Sequence, residues 1–314
     1  MNKIVMLLFC VLSVNALAVD SYRPRSDTDI SRELLKDRHF KNGFNVLNPI
    51  HGKYVINGQI ASDGSPITWS LAQWHSKYDI TDAKPEHLPD GGVRYSNPAK
   101  SVTLHHNGSD IILGLNSVVE YDGQLRKDGQ PWPHLLIEQK ITDCPNLLEL
   151  KRLDFNISAK VLKTKTFKKA GYTKKLHTAH IPFVLVVQNT NPESAGFDDF
   201  IWFLVPIYDD RYEFPQKFIE QDIADPSAKM IYDPGGKRYY QRSLHCGEWV
   251  NINCDLLPVI LEAMNVAWEK GYLKQSKNLR DYHITSMSLG WEVTGLNEVE
   301  IAIKDLSLKA VTAK

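Results

Sequence analysis

From about Val46 onward the chain runs in short apolar or alternating segments separated by Gly, Pro, Asn and Asp. That pattern belongs to the strands of a sandwich or barrel. It predicts strands at Ser101–His105, Asp110–Leu113, His134–Lys140, Phe155–Leu162, Ile181–Val187 and Phe200–Ile207. Later strands are predicted at Trp249–Ile252, His283–Glu292 and Glu298–Lys309. Two stretches, PFVLVVQ (Pro182–Gln188) and DFIWFLVPIY (Asp199–Tyr208), are apolar on both faces. Both are expected at the centre of a sheet with each side covered, which makes Trp202 a core residue. Asp90-Gly91-Gly92, Asp122-Gly123, Asn107-Gly108 and Pro234-Gly235-Gly236 mark turns.

One segment changes period. Leu257, Ile260, Leu261, Met264, Ala267 and Trp268 recur at helical spacing, predicting an amphipathic helix over about 255–271. Asp255 is its expected N-cap, Pro258 fits the first turn, and Gly271 is the expected stop. Residues 19–45 are polar and charged, with a short helical pattern at Ser31–Arg38. They read as an arm lying on the main body. With no linker or repeat beyond it, residues 46–314 read as a single β-sandwich domain.

Residues 1–18 read as a cleaved secretory signal, which implies a secreted or periplasmic protein. Lys3 supplies the positive start, Ile4–Leu12 the apolar run, and Ala16-Leu17-Ala18 the small-x-small cleavage site. The run is too short to span a bilayer. Cleavage would remove Cys10 and leave Cys144, Cys246 and Cys254. In an oxidising compartment the expected pair is Cys246 with Cys254, and the intervening GEWVNIN must then double back. Lys+Arg and Asp+Glu both number 37, so the chain lacks the charge footprint of a dedicated nucleic-acid binder.

LGWEVTG (Leu289–Gly295) followed by VEIAIKDLSL (Val299–Leu308) resembles the closing strand of the jelly-roll and concanavalin A-like β-sandwiches of secreted carbohydrate-active proteins. That motif is an apolar strand with an embedded Asp before a final apolar pair. The resemblance implies a mainly β, jelly-roll-type sandwich with one packed helix and a polysaccharide partner. It also implies the one candidate cofactor, a structural calcium ion, with Asp305 as candidate ligand; the alternative for Asp305 is a surface carboxylate. The resemblance covers only this C-terminal stretch, and fold does not fix function.

Motifs for zinc proteolysis, serine esterases and nucleotide chemistry are absent from the sequence. Strand parity places His180 and Gln188 on one face of their strand, and likewise His134 and Glu138. After the central apolar strand, Asp209-Asp210-Arg211 offers carboxylates beside a guanidinium suited to a carboxylate or sulfate. Glu292 sits next to Trp291. Trp69, Trp74 and Trp132 lie in polar, turn-rich surroundings and are candidates for stacking on sugar rings. The run from Lys160 to Lys175, including Lys165 and Lys168, holds no acid and suits a uronate or sulfated glycan.

Three readings stay open. The first is a non-catalytic binder of a polysaccharide, anionic if the lysine run contributes. The second is a polysaccharide-cleaving enzyme. As a lyase it would use His180, Gln188 and Arg211. As a hydrolase it would need two of Glu138, Asp209 and Glu292, about 5 Å apart for retention or about 6.5–9.5 Å for inversion. The third is an envelope structural protein without ligand.

Overall fold

The computed structural model describes residues 29–222 and 228–314. The leader and residues 19–28 of the arm lie outside the described residues. In chain order the strands are β1 (Asp29–Glu33), β2 (Phe44–Leu47), β3 (Ile56–Ile60), β4 (Trp69–Ala72), β5 (Glu86–His87), β6 (Val93–Ser96), β7 (Lys100–Leu104) and β8 (Ile111–Asn116). A one-turn helix α1 (Ser117–Glu120) leads to β9 (His134–Lys140), β10 (Leu150–Thr166), β11 (Ala179–Asn189), β12 (Phe200–Asp209), β13 (Phe218–Gln221), β14 (Met230–Asp233) and β15 (Val250–Asp255). Helix α2 (Leu257–Glu269) precedes β16 (Tyr282–Val293) and β17 (Asn297–Ala313).

The strands build two sheets. The first runs β15-β10-β17-β8-β7-β6-β5, with β1 also paired to β17; the second runs β13-β14-β12-β11-β16-β9-β4-β2-β3. Alternation along each strand turns one set of side chains into the space between them. From the second sheet these are Leu135, Ile137, Ile181, Phe183, Leu185, Leu289 and Trp291, all fully buried. The Phe155 ring of β10 lies 4.5 Å from that of Phe183 of β11. Trp291 Nε1 donates to the Leu113 carbonyl at 2.9 Å, tying β16 to β8 across the core. The protein is a mainly β two-sheet sandwich, as its periodicity predicts.

Helix α2 forms where the sequence puts it and packs against β10 and β12, one strand from each sheet. Leu257, Ile260, Ala263, Met264 and Ala267 are its buried face. The formal N-cap is Leu256, but the Asp255 carboxylate accepts from Leu257 N at 3.0 Å and Leu153 N at 2.9 Å. It therefore satisfies a first-turn donor and also fixes the helix to β10. Gly271 ends the element at φ +84°.

Three expectations need correction. Ser31–Arg38 is not a helix: Asp29–Glu33 pairs antiparallel with 309–313 of β17, and Leu34 and Leu35 are buried. Sheet pairing supplies the hydrogen bonds that the local helical pattern would have made, and burial outweighs propensity. Residues 29–47 thus give one strand to each sheet and are woven into the body. Cys246 and Cys254 are not bridged; both are free, as is Cys144. Val250–Asp255 is an extended strand in register with residues 154–159 of β10, so the segment between the cysteines cannot double back. Finally, β11 and β12 are central, but their outer face is only partly covered, and Trp202, Leu204 and Val186 are half-exposed there.

Candidate functional site

The outer face of the second sheet carries the residues that sequence parity groups together. His134 of β9 pairs with Glu292 of β16, Glu292 with His180 of β11, and His180 with Asp209 of β12. Four titratable side chains therefore form one row across four neighbouring strands. His180 Nε2 lies 3.2 Å from Glu292 Oε2, and His134 Nε2 lies 3.7 Å from the same oxygen. The half-exposed Trp132 points its Nε1 at that oxygen from 3.4 Å. The His180 side chain keeps 35% of its surface open and Glu292 keeps 21%, so a ligand can reach both.

The row divides its charges. Burial disfavours the ionised Glu292, but the His180 hydrogen bond and the two imidazoles outweigh it and hold its carboxyl down at about 2. Burial likewise works against a charged His180, and Glu292 outweighs it, so the imidazole is raised above its usual value. His134 is lowered, chiefly by burial. Its Nδ1 is buried without a hydrogen-bond partner. At the row's far end, burial raises Asp209, but Arg211 overrides it and lowers the carboxyl. Arg211 Nε and Nη2 donate to Asp209 at 2.9 and 2.6 Å, which occupies that carboxylate.

Beside the row stands a ring cluster that sequence reasoning missed. His75 lies 6.0 Å from His134 and 5.1 Å from His51, centroid to centroid. Burial, then the neighbouring His134 and His51, lower His75 to about 4, so it is neutral at pH 7. Its backbone sits at φ +58°, a conformation that few non-glycine residues adopt. The loop bearing it is anchored from below by a buried ion pair. Lys100 Nζ lies 3.3 Å from Glu120 Oε1 and also contacts Ser76 Oγ and the Tyr78 carbonyl. Nothing in the local pattern marks His51 or His75, because only the fold brings their loops to β9.

The other candidates fall as follows. Glu138 is raised to about 7 by burial and accepts from Trp74 Nε1 at 3.1 Å. It is level with Ser288, four residues from Glu292, with Leu136 and Gly290 between. That offset is ~13 Å along the strands, wider than the carboxylate spacing of either hydrolase geometry. Gln188 shares a face with His180 but lies ~26 Å along β11, where it bonds Asp198. The His180, Gln188 and Arg211 trio is therefore not assembled. Trp69 is fully buried, its Nε1 donating to the Asp37 carbonyl, so its face is closed to any ligand. Trp74 is 5% exposed, too little to offer a face for stacking. Trp202, read as core, instead lies half-exposed on this outer face. Burial also raises Asp233 to about 7, with the charges of His180 and Asp209 as smaller effects; no motif points to it.

Asp305 occupies a bulge of β17 at φ +58°. Its carboxylate accepts from Ser158 Oγ at 3.0 Å and its N–H donates to Asp110 at 3.1 Å. Among the described residues no group of three or more His, Cys, Asp or Glu is placed to hold a metal ion. Among them, too, no helix is long and apolar enough to cross a membrane.

No family model matches the chain, and no curated protein matches it. Three solved structures with a similar arrangement are the following. A family 11 xylanase from Neocallimastix patriciarum is 8% identical over 72% of this chain and 94% of that one, with a TM-score of 0.37. An endoglucanase from Rhodothermus marinus is 9% identical over 74% and 97%, at 0.36. A family 12 xyloglucanase from Bacillus licheniformis is 9% identical over 73% and 97%, at 0.39. Similarity this low says nothing about the reaction of this chain.

Proposed function

We propose that the protein cleaves a polysaccharide lying across the outer face of its nine-stranded sheet, with His180 and Glu292 as the acid–base pair. The observation that carries this reading is the cross-strand row itself. An ionised carboxylate is held between two imidazoles, one of them open to solvent, with a half-exposed Trp132 at its side. A carboxylate that orients an imidazole and raises its basicity tunes it for proton transfer near neutral pH. Trp132 offers a ring on which the C–H face of a sugar can stack, and Trp202 offers a second further along β12. Glu138 stands too far from Glu292 along the strands and Asp209 is held by Arg211, which favours imidazole-based chemistry over a carboxylate pair. A leader of the kind read at residues 1–18 is in keeping with a protein that meets its substrate after export.

The test is incubation of the protein with neutral, uronic and sulfated polysaccharides, following reducing ends and unsaturated products on the same samples. New ends are expected, with a loss of ~10²–10⁴ in rate for His180→Ala. Unsaturated ends would assign an elimination in which His180 removes the proton, and saturated ends a hydrolysis. Retarded migration without products would replace the enzyme by a glycan-binding protein. No products and no retardation would overturn both.

A further inference from the structure

We infer that the polysaccharide this site takes is anionic, and that a lysine rim beside the His180–Glu292 row holds its acidic groups. This rests on the reading of the outer face as a polysaccharide site.

The rim is the end of β10 and its connection to β11. Within residues 165–175 stand Lys165, Lys168, Lys169, Lys174 and Lys175, all exposed, with no Asp or Glu among them. The two lysines just before it differ: Lys163 pairs with Glu298 at 2.6 Å and Lys160 with Glu248 at 3.8 Å. Three of the rim's ammonium groups lie over rings instead of carboxylates, and that of Lys169 donates to the Gly123 carbonyl. Lys165 stands 4.5 Å from the Phe167 centroid, Lys168 5.6 Å from Tyr172 and Lys174 6.0 Å from Tyr212. A cation held on an aromatic face keeps its charge and its outward N–H donors available.

Acids that flank the rim are paired with other groups: Glu298, opposite Lys165, with Lys163, and Asp122, beside Gly123, with Lys77. Asp209 is engaged by Arg211. Asp210 accepts from Thr178 Oγ1, Ala179 N, Thr166 Oγ1 and Asn297 Nδ2. In a chain of zero formal charge this leaves a concentrated local excess of positive charge.

The rim is physically continuous with the site. The Arg126 guanidinium lies 5.1 Å from the Trp132 ring, whose Nε1 points at Glu292. The Arg126 carbonyl is 3.0 Å from His177 Nε2, and His177 stacks on Tyr172, the ring beneath Lys168. On the other side Arg211 Nη1 donates to the Lys174 carbonyl at 3.1 Å, while its Nη2 holds Asp209 at the end of the row. A chain bound at His180 and Glu292 and running toward Trp132 therefore meets the lysines next. Carboxylate and sulfate groups share the chemistry that this rim recognises. The neutral overall charge argues against a nucleic acid as the polyanion.

The experiment compares a polyuronate and a sulfated polysaccharide with their carboxyl-reduced and desulfated counterparts, and with single-stranded DNA. Binding is measured by affinity electrophoresis and cleavage by end-group release, at 50 and 200 mM salt. Retention of at least one polyanion, weakening at least about tenfold over that salt range, is expected. Lys168→Glu/Lys174→Glu should weaken it by a similar factor, with an unchanged melting temperature showing that the fold is intact. Whether the uronate or the sulfate is retained identifies the acidic group. Cleavage of neutral glycans with no gain from charge would overturn this inference and leave the proposed function standing. Retention of the polyanion without cleavage would do the reverse. Equal or stronger retention of DNA, or no retention of anything, would overturn the inference.

Discussion

Glu292→Gln isolates the charge at the centre of the site while keeping its shape. Moving a carboxyl from 4.5 to about 2 corresponds to ~3 kcal/mol of preference for the ionised form in the folded protein. Its folded value is depressed, so this stabilisation is complete above pH 4.5 and is lost as pH falls through about 2. His180 is shifted the other way. Its share is complete below pH 6.5 and is lost as pH rises through the raised folded value. The pair therefore stabilises the fold most between pH 4.5 and 6.5. Thermal unfolding of the two proteins at pH 5.5 should differ by roughly 6–9 °C, at ~2–3 °C per kcal/mol for a chain of this size. The difference should shrink steadily toward pH 2.5. In the cleavage assay the variant should lose ~10²–10⁴ in rate. The limb of the pH profile belonging to His180 should move to lower pH, because its imidazole no longer faces a full negative charge. Equal melting temperatures at pH 5.5, or a gap unchanged at pH 2.5, would refute the reasoning.

Lys100→Met should destabilise by ~3–5 kcal/mol in denaturant unfolding, because it strands the buried Glu120 carboxylate. Removing both charges in Lys100→Met/Glu120→Leu should recover most of that loss. A thiol reagent should label Cys246 in the native protein and spare Cys144 and Cys254, whose thiols burial raises to about 11 and about 12. Reductant should leave the melting temperature unchanged. Gly290→Ala should cost ~3 kcal/mol or more, since φ is +151° and a Cβ there would stand 2.2 Å from the Leu135 carbonyl oxygen. That loss would be read as a lowered denaturation midpoint.

The strands that the pattern shows best are those whose alternation is clean and long. His134–Lys140 matches β9 residue for residue, and the β16 and β17 segments are recovered within a few residues at each end. The strands it misses, such as β1, β13 and β14, are short or polar. The longer β17 and β12 offer β1 and β14 backbone hydrogen bonds, and β13 pairs in turn with β14. Ser31–Arg38 shows the cost of reading such a segment locally, since a helical spacing of Leu34 and Leu35 serves equally well to bury both beside β17.

The site divides along the same line. Parity put His134 with Glu138 and His180 with Gln188, correctly as to face. Parity has no measure of distance across a sheet, and it kept Gln188 and Glu138 although each lies far from the row. The row exists because β9, β16, β11 and β12 are neighbours in an order that the chain does not follow, and because their registers align His134, Glu292, His180 and Asp209.

By itself the sequence determined that the chain is mainly β, that one amphipathic helix lies near residue 260, and that a lysine run lacks acids. Period, capping and charge are properties of neighbouring residues, so they are legible along the chain. Which strands adjoin, which ring faces solvent, whether Cys246 reaches Cys254 and which carboxylate stays ionised were decided only by the tertiary structure. Each depends on partners that long-range sheet pairing brings together.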